Sequence, residues 1–137
     1  MCFIAEEGGR ILHASWVTTS GAWTREVQAL LSPPPGDAYV YESFTRSEAR
    51  GRGIYPLALA GMLTELSRLG IRRVWVGVES SNQASRRAIG KAGFEEALSI
   101  RFWRDRGRLS VGVPIGSLAD EDGHYWLGAR QKHQGKP

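Results

Sequence analysis

Tyr39-Val40-Tyr41-Glu42-Ser43-Phe44-Thr45-Arg46-Ser47-Glu48-Ala49-Arg50-Gly51-Arg52-Gly53-Ile54-Tyr55-Pro56 passes from strand to helix through a glycine-rich joint. Residues Tyr39 to Thr45 are rich in aromatic side chains and predict a strand. Pro56 suits the first helical position, where a missing N–H costs nothing. Leu59, Met62, Leu63 and Leu66 then share a face and Gly70 suits the stop, which predicts a helix over Pro56 to Leu69. Within the joint, Gly51 and Gly53 let successive backbone N–H groups approach a ligand, and the helix N-terminus adds positive potential. Arg50 and Arg52 add charge, so the joint could cradle a pyrophosphate. A plain strand-to-helix turn with solvated arginines gives the same pattern. Both readings stay open on this stretch alone, and an arginine-glycine RNA contact is weaker, because such tracts usually repeat.

Working outward, Phe3 to Ala5 and Ile11 to Thr18 are β-rich runs separated by Glu7-Gly8-Gly9-Arg10, which predicts a hairpin. Thr24 to Leu31 is ambiguous; Ser32-Pro33-Pro34-Pro35-Gly36-Asp37 breaks any helix there, and an extended segment with a loop is expected. On the far side, Arg73 to Glu79 alternates as a strand with Val74, Val76 and Val78 on one side. Ser81 and Asn82 can cap a second helix reaching about Ala92 and stopped by Gly93. Phe94 to Arg104 and Leu109 to Val113 predict a terminal hairpin around Asp105-Arg106-Gly107-Arg108. The order β, β, β, α, β, α, β, β joins an antiparallel half to a βαβ unit, an α/β (α+β) chain with a mixed sheet.

The chain has 137 residues, one domain's worth, with 42% hydrophobic and 23% charged residues, as in soluble globular proteins. No apolar run approaches the roughly 18 residues of a membrane span, and the N-terminus lacks the pattern of a secretory signal. No membrane partner is expected. The one cysteine, Cys2, cannot form an internal disulfide, so a cytoplasmic setting is the default expectation. His13, His124 and His133 lack ligand spacing, and no metal site is read. The net charge of +4 is scattered, except for the short basic tail from Arg130 to Pro137, which reads as a solvated end.

A second junction, Asn82-Gln83-Ala84-Ser85-Arg86-Arg87-Ala88-Ile89-Gly90-Lys91-Ala92-Gly93-Phe94, follows the strand after the first helix. Taken with Arg50-Gly51-Arg52-Gly53-Ile54, it resembles the paired signature of the GNAT superfamily of acyl-CoA-dependent N-acyltransferases. The first stretch is similar to that family's pyrophosphate loop, and the second to its Asn-initiated helix ending in Lys-x-Gly-Phe. The hairpin from Cys2 to Thr18 resembles the family's second and third strands. The resemblance covers about Cys2 to Trp103, and residues 1–113 are expected to form the GNAT-like domain, with 114–137 a C-terminal extension and tail.

The resemblance implies acetyl-CoA, or another acyl-CoA, as co-substrate and a small-molecule or protein amine as acceptor. It implies that Ser43, Phe44 and Thr45 pair through their backbone with the pantetheine arm. The amides of Gly51, Arg52, Gly53, Ile54 and Tyr55, beside Arg50, would hold the pyrophosphate. Asn82 matches a position near the cofactor arm. Lys91 could reach a coenzyme A phosphate, although a solvated lysine fits an exposed helix face as well, and Ser85 reads as a small packing residue. Transfer would be direct, in a ternary complex, with strand N–H groups stabilising the oxyanion. An alkylammonium must first lose a proton, so a general base helps. Glu42 is the leading candidate, Glu79 the next and His13 a third. Trp16, Trp23 and Trp75 could line an acceptor pocket or belong to a core.

The pattern departs from the family at four places. Tyr55 stands where Gly or Ala is usual. Pro56 removes a helix-start donor. Ile89 replaces the tyrosine that often protonates the leaving thiolate. The family's first strand and two helices have no counterpart in this sequence, so the domain is expected either to continue in an upstream in-frame extension of the gene or to be a shortened one, its open sheet edge covered by a homodimer or a partner chain. Two other classes remain open: a catalytically weak acyl-CoA-binding or regulatory module, and a basic nucleic-acid-binding domain, the less expected of the two.

Overall fold

Gly8 and Gly9 both adopt positive φ, 56° and 77°, and the tight turn they make folds β1 (Cys2–Glu7) back onto β2 (Arg10–Thr18). The computed structural model describes residues 1–131 and side chains through Trp126. β2 pairs antiparallel with β5 (Ala38–Thr45), and β5 pairs parallel with β6 (Val74–Val76) through the crossover helix α1 (Ile54–Arg68). The four-stranded sheet has the order β1-β2-β5-β6 and is mixed, as the element order predicts.

α1 buries Leu59, Met62 and Leu66 against Val17, Ala38 and Val40 of the sheet, joined by Ile89 from α2 (Gln83–Lys91). Full burial of each such side chain stabilises the fold by about 1.5–3 kcal/mol. Pro56 is the third residue of α1, two positions later than the sequence suggests, and still lies where no intrahelical N–H is needed. Leu63 is half-buried rather than part of the core.

Three expectations gain detail from the structure. The strand predicted to Glu79 stops at Val76, because β5 is the one strand with which β6 pairs in this sheet, and it does so over three residues. The Thr24 to Leu31 segment, expected as extended chain with a loop, is that: it holds the end of β3 (Ala22–Thr24), a turn with Gln28 at φ 49°, and β4 (Ala29–Leu31), which pair as a small hairpin. The terminal hairpin forms, but its strands β7 (Phe102–Asp105) and β8 (Arg108–Val111) are short and make a separate two-stranded sheet.

A third helix, α3 (Ala119–Gln131), is not anticipated by the sequence reading. Its first turn carries Asp120, Glu121 and Asp122, which suit the positive end of a helix. It packs Trp126 against Ala22 and Tyr39, on the sheet face away from α1. Asp37 is fully buried and receives Arg72 Nε at 3.1 Å, Arg73 Nε at 2.9 Å and Trp75 Nε1 at 2.8 Å. The other end of Arg73 grips Asp122 of α3 with two bonds, 2.8 and 2.9 Å. Most of the basic tail, residues 132–137, lies outside the described residues. Among the described residues no helix is long and apolar enough to cross a membrane.

Candidate functional site

The site grows from the place where β5 outruns its neighbour. The last β5–β6 pair is Val40 with Val76, yet β5 continues to Thr45. Among the described residues, Tyr41 to Thr45 therefore present one edge without a strand partner, while Gly77, Val78 and Glu79 leave the sheet as coil. On the other edge, Tyr41 stands opposite Trp16 and Phe44 opposite Ala14, so Glu42 and Ser43 together face the single residue Ser15. This is a β-bulge, with Glu42 at φ 48°. The extra residue reverses the alternation of the strand: Val40 faces α1, and after the bulge so do Ser43 and Thr45, while Phe44 turns to the opposite face and is 59% exposed.

Beneath the bulge lies a polar chain in an otherwise apolar layer. His13 is 1% exposed, with Nδ1 2.7 Å from Thr45 Oγ1 and Nε2 2.7 Å from Ser15 Oγ. Ser15, fully buried, lies 2.8 Å from the hydroxyl of Ser43. The ring of Tyr55 stacks on His13 with centroids 5.1 Å apart. Burial lowers the His13 pKa from its ordinary value, so the imidazole is held neutral. Burial raises the Tyr55 phenol, partly opposed by its hydrogen bond with Ser43.

The joint after β5 opens with a single 3₁₀ turn, Ser47–Ala49, whose Ala49 is buried. Gly51 and Gly53 follow at φ 74° and 73°. Gly53 caps α1 from the left-handed region with no side-chain bond, and the first-turn N–H groups have no intrahelical acceptor. Arg50 Nε donates to the carbonyl of Thr45 at 3.1 Å and Arg46 Nε to that of Ile11 at 2.6 Å, which ties the loop to the strands. Arg52 pairs with Glu7 at 3.0 Å.

Ser43, Phe44 and Thr45 thus lead through the 3₁₀ turn into Arg50, Gly51, Arg52, Gly53, Ile54 and Tyr55. Tyr55 points inward onto His13, which resolves how an aromatic ring is housed at that position. Asn82 is the N-cap of α2, its Oδ1 accepting from the Ser85 N–H at 3.1 Å, so its side chain serves the helix. Lys91 is exposed in the last turn of α2. Ile89 is 8% exposed and belongs to the core.

Glu42 is exposed at the bulge and pairs with Arg25 at 3.3 Å. Glu79 is exposed in the coil after β6. His13 has both ring nitrogens occupied and no open face to an acceptor, so it does not suit the role of base. Trp75 is a core and network residue, and Trp16 and Trp23 are exposed. Sequence reasoning missed Ser15 and the hydroxyl of Ser43. The available signal was His13 and Ser15 alternating with Val17 on one strand face, polar groups in a layer that is otherwise apolar.

Residues 29–95 match the family model described as an acetyltransferase (GNAT) domain. Among solved structures, the chain is similar to the aminoglycoside acetyltransferase AAC(6')-Iy in complex with a bisubstrate analogue, CoA-S-monomethyl-acetylneamine. The identity is 20% over 77% of this chain and 68% of that one, with a TM-score of 0.59. The same enzyme in complex with CoA gives 20% identity, 77% and 75% coverage and a TM-score of 0.58. An aminoglycoside acetyltransferase from an uncultured soil metagenomic sample, in complex with sisomicin, gives 14%, 76% and 64% coverage and 0.55. At these identities the likeness is one of fold. No curated protein matches the sequence.

Proposed function

Because this chain belongs to the GNAT acetyltransferase family, we propose that it transfers an acetyl group from acetyl-CoA to an amine nitrogen by direct attack in a ternary complex. The observation that carries this reading is the splay of β5 from β6. It leaves the bulged segment Tyr41 to Thr45 with a free backbone edge running straight into a glycine loop and a helix N-terminus. An extended pantetheine arm can pair with such an edge as a strand would, and the loop N–H groups of Gly51 to Tyr55 can hold the pyrophosphate. Glu42, exposed where the strand bulges, is assigned as the base that takes the acceptor's proton, with Glu79 the alternative. Asn82 supports the cofactor side by fixing the start of α2, and Lys91 lies on that helix to meet a phosphate.

The acceptor is proposed as a small molecule or protein side chain bearing a primary amine. A second copy or a partner chain is proposed over the edge strand β1. The sheet face turned from α1 there exposes Ile4, Ile11, Trp16 and Phe44. Sedimentation measures that association.

A catalytically weak binding module is the second reading, favoured by Ile89, which places a core side chain where a proton donor is usual. Calorimetric titration with acetyl-CoA and coenzyme A, followed by thiol release with a panel of primary amines, separates the two. Binding with turnover supports transfer, with Glu42→Gln lowering kcat on the order of 100-fold. Binding without turnover on any amine supports the module, and no binding refutes both.

A further inference from the structure

The hydrogen bonds beneath the bulge form one chain, Thr45–His13–Ser15–Ser43, whose two ends both lie on the free segment of β5. Three of its four members carry rotatable hydroxyls, so its direction is set by which nitrogen of His13 holds the proton. With the proton on Nδ1, His13 donates to Thr45, Ser15 donates to Nε2, and Ser43 turns its own proton inward to Ser15. With the proton on Nε2, Thr45 donates to Nδ1, His13 donates to Ser15, Ser15 donates to Ser43, and the Ser43 proton is left free.

Ser43 is exposed, and it is the point where this buried chain emerges at the bulge. The Ser43 hydroxyl also acts on the Tyr55 phenol and lowers its pKa, the effect of a hydroxyl that donates towards that oxygen rather than inward. A thioester offers only acceptors, its carbonyl oxygen and its sulfur. A chain that serves it must therefore run outward.

We propose that Ser43 is a hydrogen-bond donor to the acyl thioester, and that buried His13, as the Nε2–H tautomer, positions its hydroxyl through Ser15. The inference rests on the acyl-CoA reading above. As the amine nitrogen bonds to the carbonyl carbon, charge builds on the carbonyl oxygen. As the carbon–sulfur bond breaks, its electron pair goes to sulfur. The Ser43 hydroxyl stabilises that charge without giving up its proton, supplying at the bulge a donor that Ile89 cannot supply from α2. Ser43 then acts on the substrate directly, while His13 and Ser15 are positioning residues.

The test combines a tautomer with a rate. Long-range nitrogen–proton spectra of the imidazoles at pH 7.5 report which nitrogen of His13 is protonated, with no need for turnover. The expected state is Nε2–H, and Nδ1–H overturns the proposal. In the thiol-release assay, Ser43→Ala is expected to lower kcat on the order of 100-fold. Its affinity for coenzyme A should stay within about twofold, and Ser43→Thr, which keeps the hydroxyl, should retain most of the rate. Ser15→Ala is expected to reproduce part of the loss in kcat at unchanged coenzyme A affinity. A wild-type rate in Ser43→Ala overturns the proposal while leaving the acyl-CoA reading intact. Failure of the wild-type chain to bind acetyl-CoA overturns that reading instead, whatever the tautomer.

Discussion

Two single residues carry tests of the site. Gly53 holds φ 73° and a Cβ built on it would meet nothing within 4 Å, so a larger side chain there costs backbone strain rather than a clash. That strain is about 1–2 kcal/mol, small against the roughly 5–15 kcal/mol of a typical domain. Gly53→Val is therefore expected to stay folded while its side chain blocks the approach of a phosphate to the loop amides. Calorimetry should show acetyl-CoA affinity lost, and an unchanged affinity in the folded variant would remove the loop from the cofactor site. His13 gives a pH signature. Its folded pKa lies below the ordinary value of about 6.5, because burial disfavours the cation. Below that ordinary value the unfolded chain takes up a proton that the folded chain refuses, so stability is full above about pH 6.5 and is lost as the pH falls through the folded pKa. Urea midpoints at pH 7.5 and 5.5 should differ more in wild type than in His13→Gln, and equal slopes would mean that the imidazole titrates freely. The glycines were legible because their letters imply a backbone state. The chain through His13 was not, because Thr45 comes to His13 from 32 residues away and Ser43 to Ser15 from 28, and both reach that face only through a bulge.

At the scale of elements, the sequence reads best where one periodic stretch explains itself. α1 shows its apolar stripe and its Gly70 stop, and α2 shows its Asn82 cap, so both are found close to where they lie. α3 carries Gly123 and Gly128, each costing about 1 kcal/mol of helix propensity, and its anchor is a tertiary contact that no local pattern reveals. That anchor is the fork of Arg73, shared between fully buried Asp37 and nearly buried Asp122. Asp37 keeps Arg72 and Trp75 if Arg73 is removed, but the two bonds that Asp122 receives from Arg73 are lost. Stranding a buried charge costs about 3–5 kcal/mol, whereas an exposed pair contributes about 1 kcal/mol or less. Arg73→Ala is thus expected to lower stability by about 3 kcal/mol in urea unfolding. Arg86→Ala, which removes an exposed pair with Glu96, should stay within about 1 kcal/mol. Similar losses in the two variants would show that the fork does not hold α3 to the sheet. The terminal hairpin and β6 share the difficulty of α3: their strands are three or four residues long, and where a strand of that length stops is decided by its neighbours rather than by its own letters.

Over the whole molecule, a net charge of +4 could serve a polynucleotide or a polyphosphate cofactor, and the arrangement of the arginines favours the second. Among the described residues, Arg10, Arg25, Arg52, Arg72, Arg73 and Arg86 each contact a carboxylate, which takes that charge out of any stripe that could track a phosphate backbone. The start of α1 adds fixed positive potential where the bulged strand meets the glycine loop. A ligand seated there touches β5, α1 and the crossover together, and binding the folded state alone stabilises all of them by RT ln(1 + [L]/Kd). At a concentration 100 times its Kd, acetyl-CoA should add about 2.7 kcal/mol to unfolding free energy. The stabilisation should grow logarithmically with concentration and survive physiological salt. Duplex DNA at the same salt should add nothing, because nonspecific binding through scattered charges fades steeply as salt rises. Thermal unfolding followed against both ligands measures the difference. A shift with DNA that coenzyme A does not compete, together with none for acetyl-CoA, would mean that the loop reads nucleic acid after all.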